Sequence, residues 1–171
     1  MLWVNIIMDT LGGLAFAGEP PLKYFMQEKP KRRDEQILSE EMLHQIFVTG
    51  TYTLALAIFF LASPSIRLIY GSLAPTPKFY TAFYALFIFS GIFNCFLARC
   101  SRLWLLSNIS KNKPFIFIML LISVIQILLI YFGGEIFRCV PLQSNELSFV
   151  ILLAMTVIPF EMIRRLLYKL K

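Results

Sequence analysis

The sequence predicts an all-α protein, a polytopic membrane bundle of five transmembrane helices with its N-terminus outside and its C-terminus cytoplasmic. Three observations carry that prediction. Hydrophobic residues make up 58% of the 171 residues and charged residues only 15%, with a mean hydropathy of +0.71; a soluble domain carries about a quarter charged residues. The apolar residues gather into five runs, each near the ~20 residues that a helix needs to cross hydrocarbon. None of the runs alternates with the period of two that marks a membrane barrel. Backbone groups in lipid must be satisfied within the segment, which makes each run a helix.

The first run, about 2–17, is short and holds Asn5 and Asp9 among apolar residues. Residues 18–42 follow as a cytoplasmic loop. Pro20, Pro21 and Pro30, with interspersed charges, predict an exposed, semi-rigid connection. The second run, about 43–61, reads LHQIFVTGTYTLALAIFFL; Ser39, Glu40 and Glu41 suit its first turn, and Pro64 follows its end. The third, about 79–98, is rich in aromatics, with Tyr80 and Tyr84 near the outer interface. The fourth, about 114–132, opens on Pro114, a residue tolerated at a first helical position, and Gly133 and Gly134 end it. The fifth, about 147–167, is interrupted near its cytosolic end by Pro159.

Orientation follows from the basic residues. Of the 16 Lys and Arg residues, 13 lie in the first loop, the third loop and the C-terminal tail, against 3 in the other two loops. The positive-inside rule places the richer side in the cytoplasm. The same clustering in short gaps between apolar runs accounts for the net charge of +6 and excludes a nucleic-acid partner, which needs a basic face. Among the basic segments, 29–33 has acidic neighbours Glu28, Asp34 and Glu35, so it reads as a positive-inside signal rather than a lipid-binding patch. Cys95, Cys100 and Cys139 form neither a disulfide framework nor a metal spacing. His44 reads as an interfacial residue. No signal peptide is visible, because a basic leader is missing and Asp9 interrupts the apolar stretch. An outside N-terminus with no basic flank predicts the back end of a longer membrane protein.

Asn5 and Asp9 are i and i+4, one above the other on a single helix face. A carboxylate facing lipid is costly, so Asp9 should point into the bundle or an aqueous cavity. Stacked amide and carboxylate oxygens suit Ca²⁺ or another hard cation. Two donors are too few, and other helices or water must complete the shell. Hydrogen bonding between helices and a proton relay remain open readings of the same pair. Gly12 and Gly13 follow, where a helix can loosen or a neighbour approach closely.

The stretch LWVNIIMDTLGGLAFAGEPP resembles the sixth transmembrane helix of P-type calcium-transporting ATPases, most closely the plasma-membrane type. The resemblance continues through KPKRRDEQILSEEM (29–42), FNCFLAR (93–99) and FGGEIFRC (132–139), and so covers the whole chain. It implies that Asn5 and Asp9 contribute oxygen ligands to a transported Ca²⁺. Met8 and Gly91 stand where two-site pumps of the reticulum type carry ligands, which implies one calcium site. The family's DKTG phosphorylation motif and TGE loop do not occur here. The resemblance therefore implies a C-terminal membrane fragment, helices six to ten, in the cell membrane. Its partners would be the remaining N-terminal part of the pump and the lipid bilayer. ATP and Mg²⁺ would bind only in the missing parent domains, and the chain alone would not hydrolyse ATP. The alternative is a non-catalytic membrane scaffold or regulatory subunit with Asp9 in helix packing.

Remaining polar residues read as structural. Ser90 and Asn94, with Gly91 between them, and Gln126 are expected to pack or hydrogen-bond between helices. Glu161 lies one turn before Arg164 and Arg165 and is expected to form a local charge pair.

Overall fold

The computed structural model describes residues 2–18, 40–99 and 112–169; the side chains of residues 2–9, 41, 135, 168 and 169 lie outside that description. The described residues form eight helices, in order: α1 (Leu2–Ala17), α2 (Glu40–Ala62), α3 (Pro64–Ile69), α4 (Pro77–Arg99), α5 (Lys113–Phe132), α6 (Gly134–Phe137), α7 (Ser144–Met155) and α8 (Val157–Lys169). The described residues contain no strand. Among the described residues, four segments are long and apolar enough to cross a membrane: Met42–Ala62, Pro77–Arg99, Lys113–Phe132 and Ser144–Leu167. The 16 residues of α1 span about 24 Å at 1.5 Å per residue, less than the ~30 Å of hydrocarbon.

Capping extends the helices beyond their apolar runs. Thr76 Oγ1 accepts from the Phe79 amide at 3.1 Å, which lets Pro77 take the first helical position of α4. Asn112 Oδ1 accepts from the Phe115 amide at 2.9 Å at the start of α5. At the start of α7, Glu146 Oε2 accepts from the Gln143 amide at 2.7 Å. Each start therefore falls two or three residues, or one for α5, before the run predicted from hydropathy.

The fifth apolar run is two helices. Proline at 159 has no amide hydrogen and crowds the carbonyl four residues back, that of Met155, and α7 ends there. The Thr156 amide bonds to Leu153 O at 3.2 Å and its hydroxyl donates to the same carbonyl. The break therefore precedes the proline by one turn. Two short helices, α3 and α6, occupy what hydropathy alone reads as loops. Pro64 starts α3. Gly134, at φ +47°, turns the chain from α5 into α6, and Arg138 at φ +52° ends that turn.

α4 is the centre of the bundle. It packs along α7 and also meets α2, α5 and α8. Ala82 and Ala85 of α4 and Ala154 of α7 are fully buried, and such small residues let helix backbones approach. At the end of α4 that starts with Pro77, Phe60, Tyr70 and Phe79 form an aromatic cluster with centroids 5.3–6.2 Å apart. The Tyr70 hydroxyl donates to Glu146 O, and Lys78 Nζ lies 2.6 Å from Glu146 Oε1. Burial, then the Glu146 carboxylate, raises the Tyr70 phenol well above its ordinary value. Thr81 Oγ1 accepts from the Val140 amide at 3.0 Å, which ties the loop after α6 to α4. Among the aromatics of the third run, Phe79 and Phe89 are buried while Tyr80 and Phe87 are exposed, as expected for a helix that both packs and faces lipid.

Candidate functional site

α1 lies against α5. Phe16 near the end of α1 meets Phe115 at the start of α5, centroids 5.8 Å apart. A Cβ placed on Gly18 would lie 3.4 Å from Pro114 Cβ. The end of one helix thus meets the beginning of the other, and the two run antiparallel. Asn5 and Asp9 are both within α1, one turn apart on one side. Their side chains lie outside the described residues, so their expected role as ligands stands as a proposal. The loop residues of 19–39, including Lys29 to Arg33, also lie outside, as does Cys100. Among the described residues, no group of three or more His, Cys, Asp or Glu side chains is placed to hold a metal ion. Gly12 and Gly13 do not serve a close helix contact among the described residues: a Cβ at either meets nothing within 4 Å.

The second polar constellation lies at the other end of the bundle axis from Lys78, where α2, α4 and α8 meet. Glu161 is fully buried, and Arg164 and Arg165 are each 8% exposed. Glu161 Oε1 accepts from Arg164 Nη2 at 2.6 Å and Arg165 Nε at 2.9 Å. Its Oε2 accepts from Arg164 Nε at 2.7 Å and from Thr49 Oγ1 on α2 at 2.8 Å. Arg165 Nη2 donates to Leu97 O on α4 at 2.6 Å, and Arg164 Nη1 lies 3.3 Å from His44 Nδ1. Four donors fill the roughly four lone-pair positions of a carboxylate, which leaves Glu161 no capacity to coordinate a cation. The expected local pair is present. The reach to Thr49 and to the Leu97 carbonyl, which lie 112 and 68 positions away in the chain, has no local sequence signal. Nearby, Tyr52 stacks on Phe160 with centroids 4.0 Å apart and donates to Thr156 Oγ1 at 2.8 Å.

A third set of polar groups is buried without hydrogen bonds among the described residues: Ser90 Oγ and Asn94 Oδ1 on α4, and both polar atoms of the Gln126 carboxamide on α5. Of the two expected roles, packing or hydrogen bonding between helices, these four atoms show no hydrogen bond among the described residues, and Ser90 and Gln126 are buried in the packing. Asn94 borders a cleft of about 520 Å³ between α2 and α4, with Gln45, Thr49 and Leu97 on its walls. Gln126 is 1% exposed. Among the described residues, neither Cys95 nor Cys139 forms a disulfide. Burial raises the Cys139 thiol above its ordinary range.

Comparison with known proteins gives this arrangement a lineage. Residues 1–167 match the family model described as the C-terminus of cation transporting ATPases. The chain is 33% identical over 154 residues to human plasma membrane calcium-transporting ATPase 3, covering 85% of this chain and 13% of that protein. It is 32% identical over 163 residues to mouse plasma membrane calcium-transporting ATPase 1, with 91% and 13% covered. It is 30% identical to the plasma membrane calcium-transporting ATPase 2 of Oreochromis mossambicus, with 91% and 15% covered. The chain thus spans about one-seventh of the length of these relatives. Four segments among the described residues that are long and apolar enough to cross a membrane, together with this match, make it an integral, multi-pass membrane protein, and the chain belongs to the cation-transporting ATPase C-terminal family.

Proposed function

We propose that these 171 residues are the C-terminal membrane domain of an ATP-driven calcium pump of the plasma membrane. In this reading α1, α2, α4, α5 and the α7–α8 pair are its five spans, with residues 18–42 and the C-terminus cytoplasmic. The observation that carries the reading is the family match, which runs from residue 1 and so includes the helix with Asn5 and Asp9. Calcium-transporting relatives at 30–33% identity supply the transported ion. The cation is cargo, held by the amide oxygen of Asn5 and the carboxylate of Asp9, with further oxygens from helices and water outside this chain, since calcium takes six to eight. ATP and Mg²⁺ belong to the soluble domains of the same pump. Phosphorylation there would move α1 relative to its neighbours and open the Asn5–Asp9 pair to each side in turn. The buried contacts around α4 and the Glu161 cluster give that movement a fixed frame.

Calcium-dependent phosphoenzyme formation in the full-length pump carrying this chain tests the ligand role. Asp9→Asn keeps the shape and removes the charge, and should weaken apparent calcium affinity by at least tenfold, about 1.4 kcal/mol. Unchanged affinity refutes the ligand assignment.

A further inference from the structure

Phe115 fixes the face of α5 that lies in the groove between α1 and α4: its ring meets Phe16 on α1 at 5.8 Å and Phe96 on α4 at 5.1 Å. Steps of four, three and four residues from Phe115 reach Met119, Ile122 and Gln126, all buried. Eleven residues make three turns and about 20°, so Gln126 stands on the Phe115 side of α5, about 16 Å along the axis. The same steps backward from Phe16 reach Gly12, Asp9 and Asn5. In an antiparallel pair that meets at Phe16 and Phe115, Gly12 falls level with Met119, Asp9 with Ile122, and Asn5 with Gln126. Gln126 is thus placed opposite the polar pair by register.

Two further observations fit this placement. The Gln126 carboxamide is 1% exposed, and neither its oxygen nor its nitrogen has a partner among the described residues. An amide unpaired in hydrocarbon costs several kcal/mol, so its partner is water or a group on the facing helix. Gly12 is buried, yet a Cβ there meets nothing within 4 Å among the described residues; there is room beside the glycine.

We propose that Gln126 belongs to the intramembrane cation site, its carboxamide oxygen facing a hydrated divalent cation across the α1–α5 seam. This rests on the reading of Asn5 and Asp9 as ligands. It adds a neutral oxygen from a helix that otherwise serves as scaffold. A carboxamide there supplies donor and acceptor to water in the cation's shell without a second charge to neutralise when the site empties.

The test uses the full-length pump with Gln126→Leu, which keeps volume and removes both polar atoms, and Gln126→Glu, which keeps an oxygen. Apparent calcium affinity for phosphoenzyme formation and thermal stability are read together, with Asp9→Asn as reference. The expected result is a calcium affinity weakened about fivefold in Gln126→Leu, unchanged or tighter in Gln126→Glu, with the melting temperature of Gln126→Leu no lower than wild type. A Gln126→Leu pump with wild-type calcium affinity overturns the proposal, whether its stability rises or falls, because the carboxamide would then serve packing alone. If Asp9→Asn also leaves calcium dependence unchanged, the ligand reading itself fails. A response in Asp9→Asn without one in Gln126→Leu removes only Gln126 from the site.

Discussion

The Glu161 cluster and the α1–α5 seam are both polar, buried and set in an apolar bundle, yet they treat their polar groups in opposite ways. Around Glu161 every acceptor position of the carboxylate has a donor within 2.9 Å, and those donors come from α2 and α8. In the seam, the Gln126 carboxamide has no partner among the described residues, and space lies beside Gly12. A polar group satisfied inside the chain acts as a fixed joint, since moving α8 against α2 and α4 would break the Glu161–Thr49 and Arg165–Leu97 bonds together. A buried polar group left open is an expense that packing alone does not recover, and it points to a ligand, water or neighbour. The difference separates the frame of the domain from the face on which the proposed cation site is placed.

The sharpest way to break this comparison is to weaken the joint. Glu161→Gln removes the charge that two buried guanidinium groups share. Breaking a buried ion pair by loss of one partner costs about 3–5 kcal/mol, so the purified protein should show a large fall in melting temperature and in folded yield. If Glu161 instead handles ions, Glu161→Gln would fold normally and lose transport. The opposite sign is expected in the seam. Gln126→Leu exchanges an unpaired amide for an apolar side chain of similar size and should hold or raise the melting temperature, by up to about 1 kcal/mol of added stability. A destabilised Gln126→Leu would mean the amide is paired within the fold, and the contrast between the two regions would collapse.

How much of this was legible in the sequence differs by feature and has a physical reason. The apolar runs of α4, α5 and α7 are visible because hydrocarbon demands long apolar segments, and these helices start one to three residues before those runs because Thr76, Asn112 and Gln143 are polar. The fifth run was read with its interruption at Pro159, but the helix breaks at Thr156, because proline acts through the carbonyl one turn earlier. The Glu161–Arg164–Arg165 pairing was legible as an i, i+3, i+4 pattern. Its bonds to Thr49 and Leu97 were not, because only folding brings α2 and α4 there. From the sequence Gln126 is ordinary glue between helices; its lack of a hydrogen-bond partner among the described residues depends on what stands opposite, which composition cannot give. The Asn5–Asp9 pair was legible from its spacing, and the family match over residues 1–167 includes it.

A smaller effect refines the comparison at the opposite end of α4. The Lys78–Glu146 pair is as short as the Glu161 bonds, at 2.6 Å, but the lysine side chain is 26% exposed and the glutamate 10%. Water therefore screens the lysine end of the pair, and pairs open to solvent on one side contribute little. Glu146 also keeps its bond to the Gln143 amide at 2.7 Å when the lysine is lost, so no buried charge is stranded without a donor. Lys78→Met should cost about 0.5 kcal/mol at moderate ionic strength, and the deficit should shrink as salt rises. Melting curves across a salt series read this directly, with Glu161→Gln as the salt-insensitive control. A loss from Lys78→Met as large as that from Glu161→Gln would show that length of contact, rather than burial and the number of donors, sets which ionic joint holds the bundle.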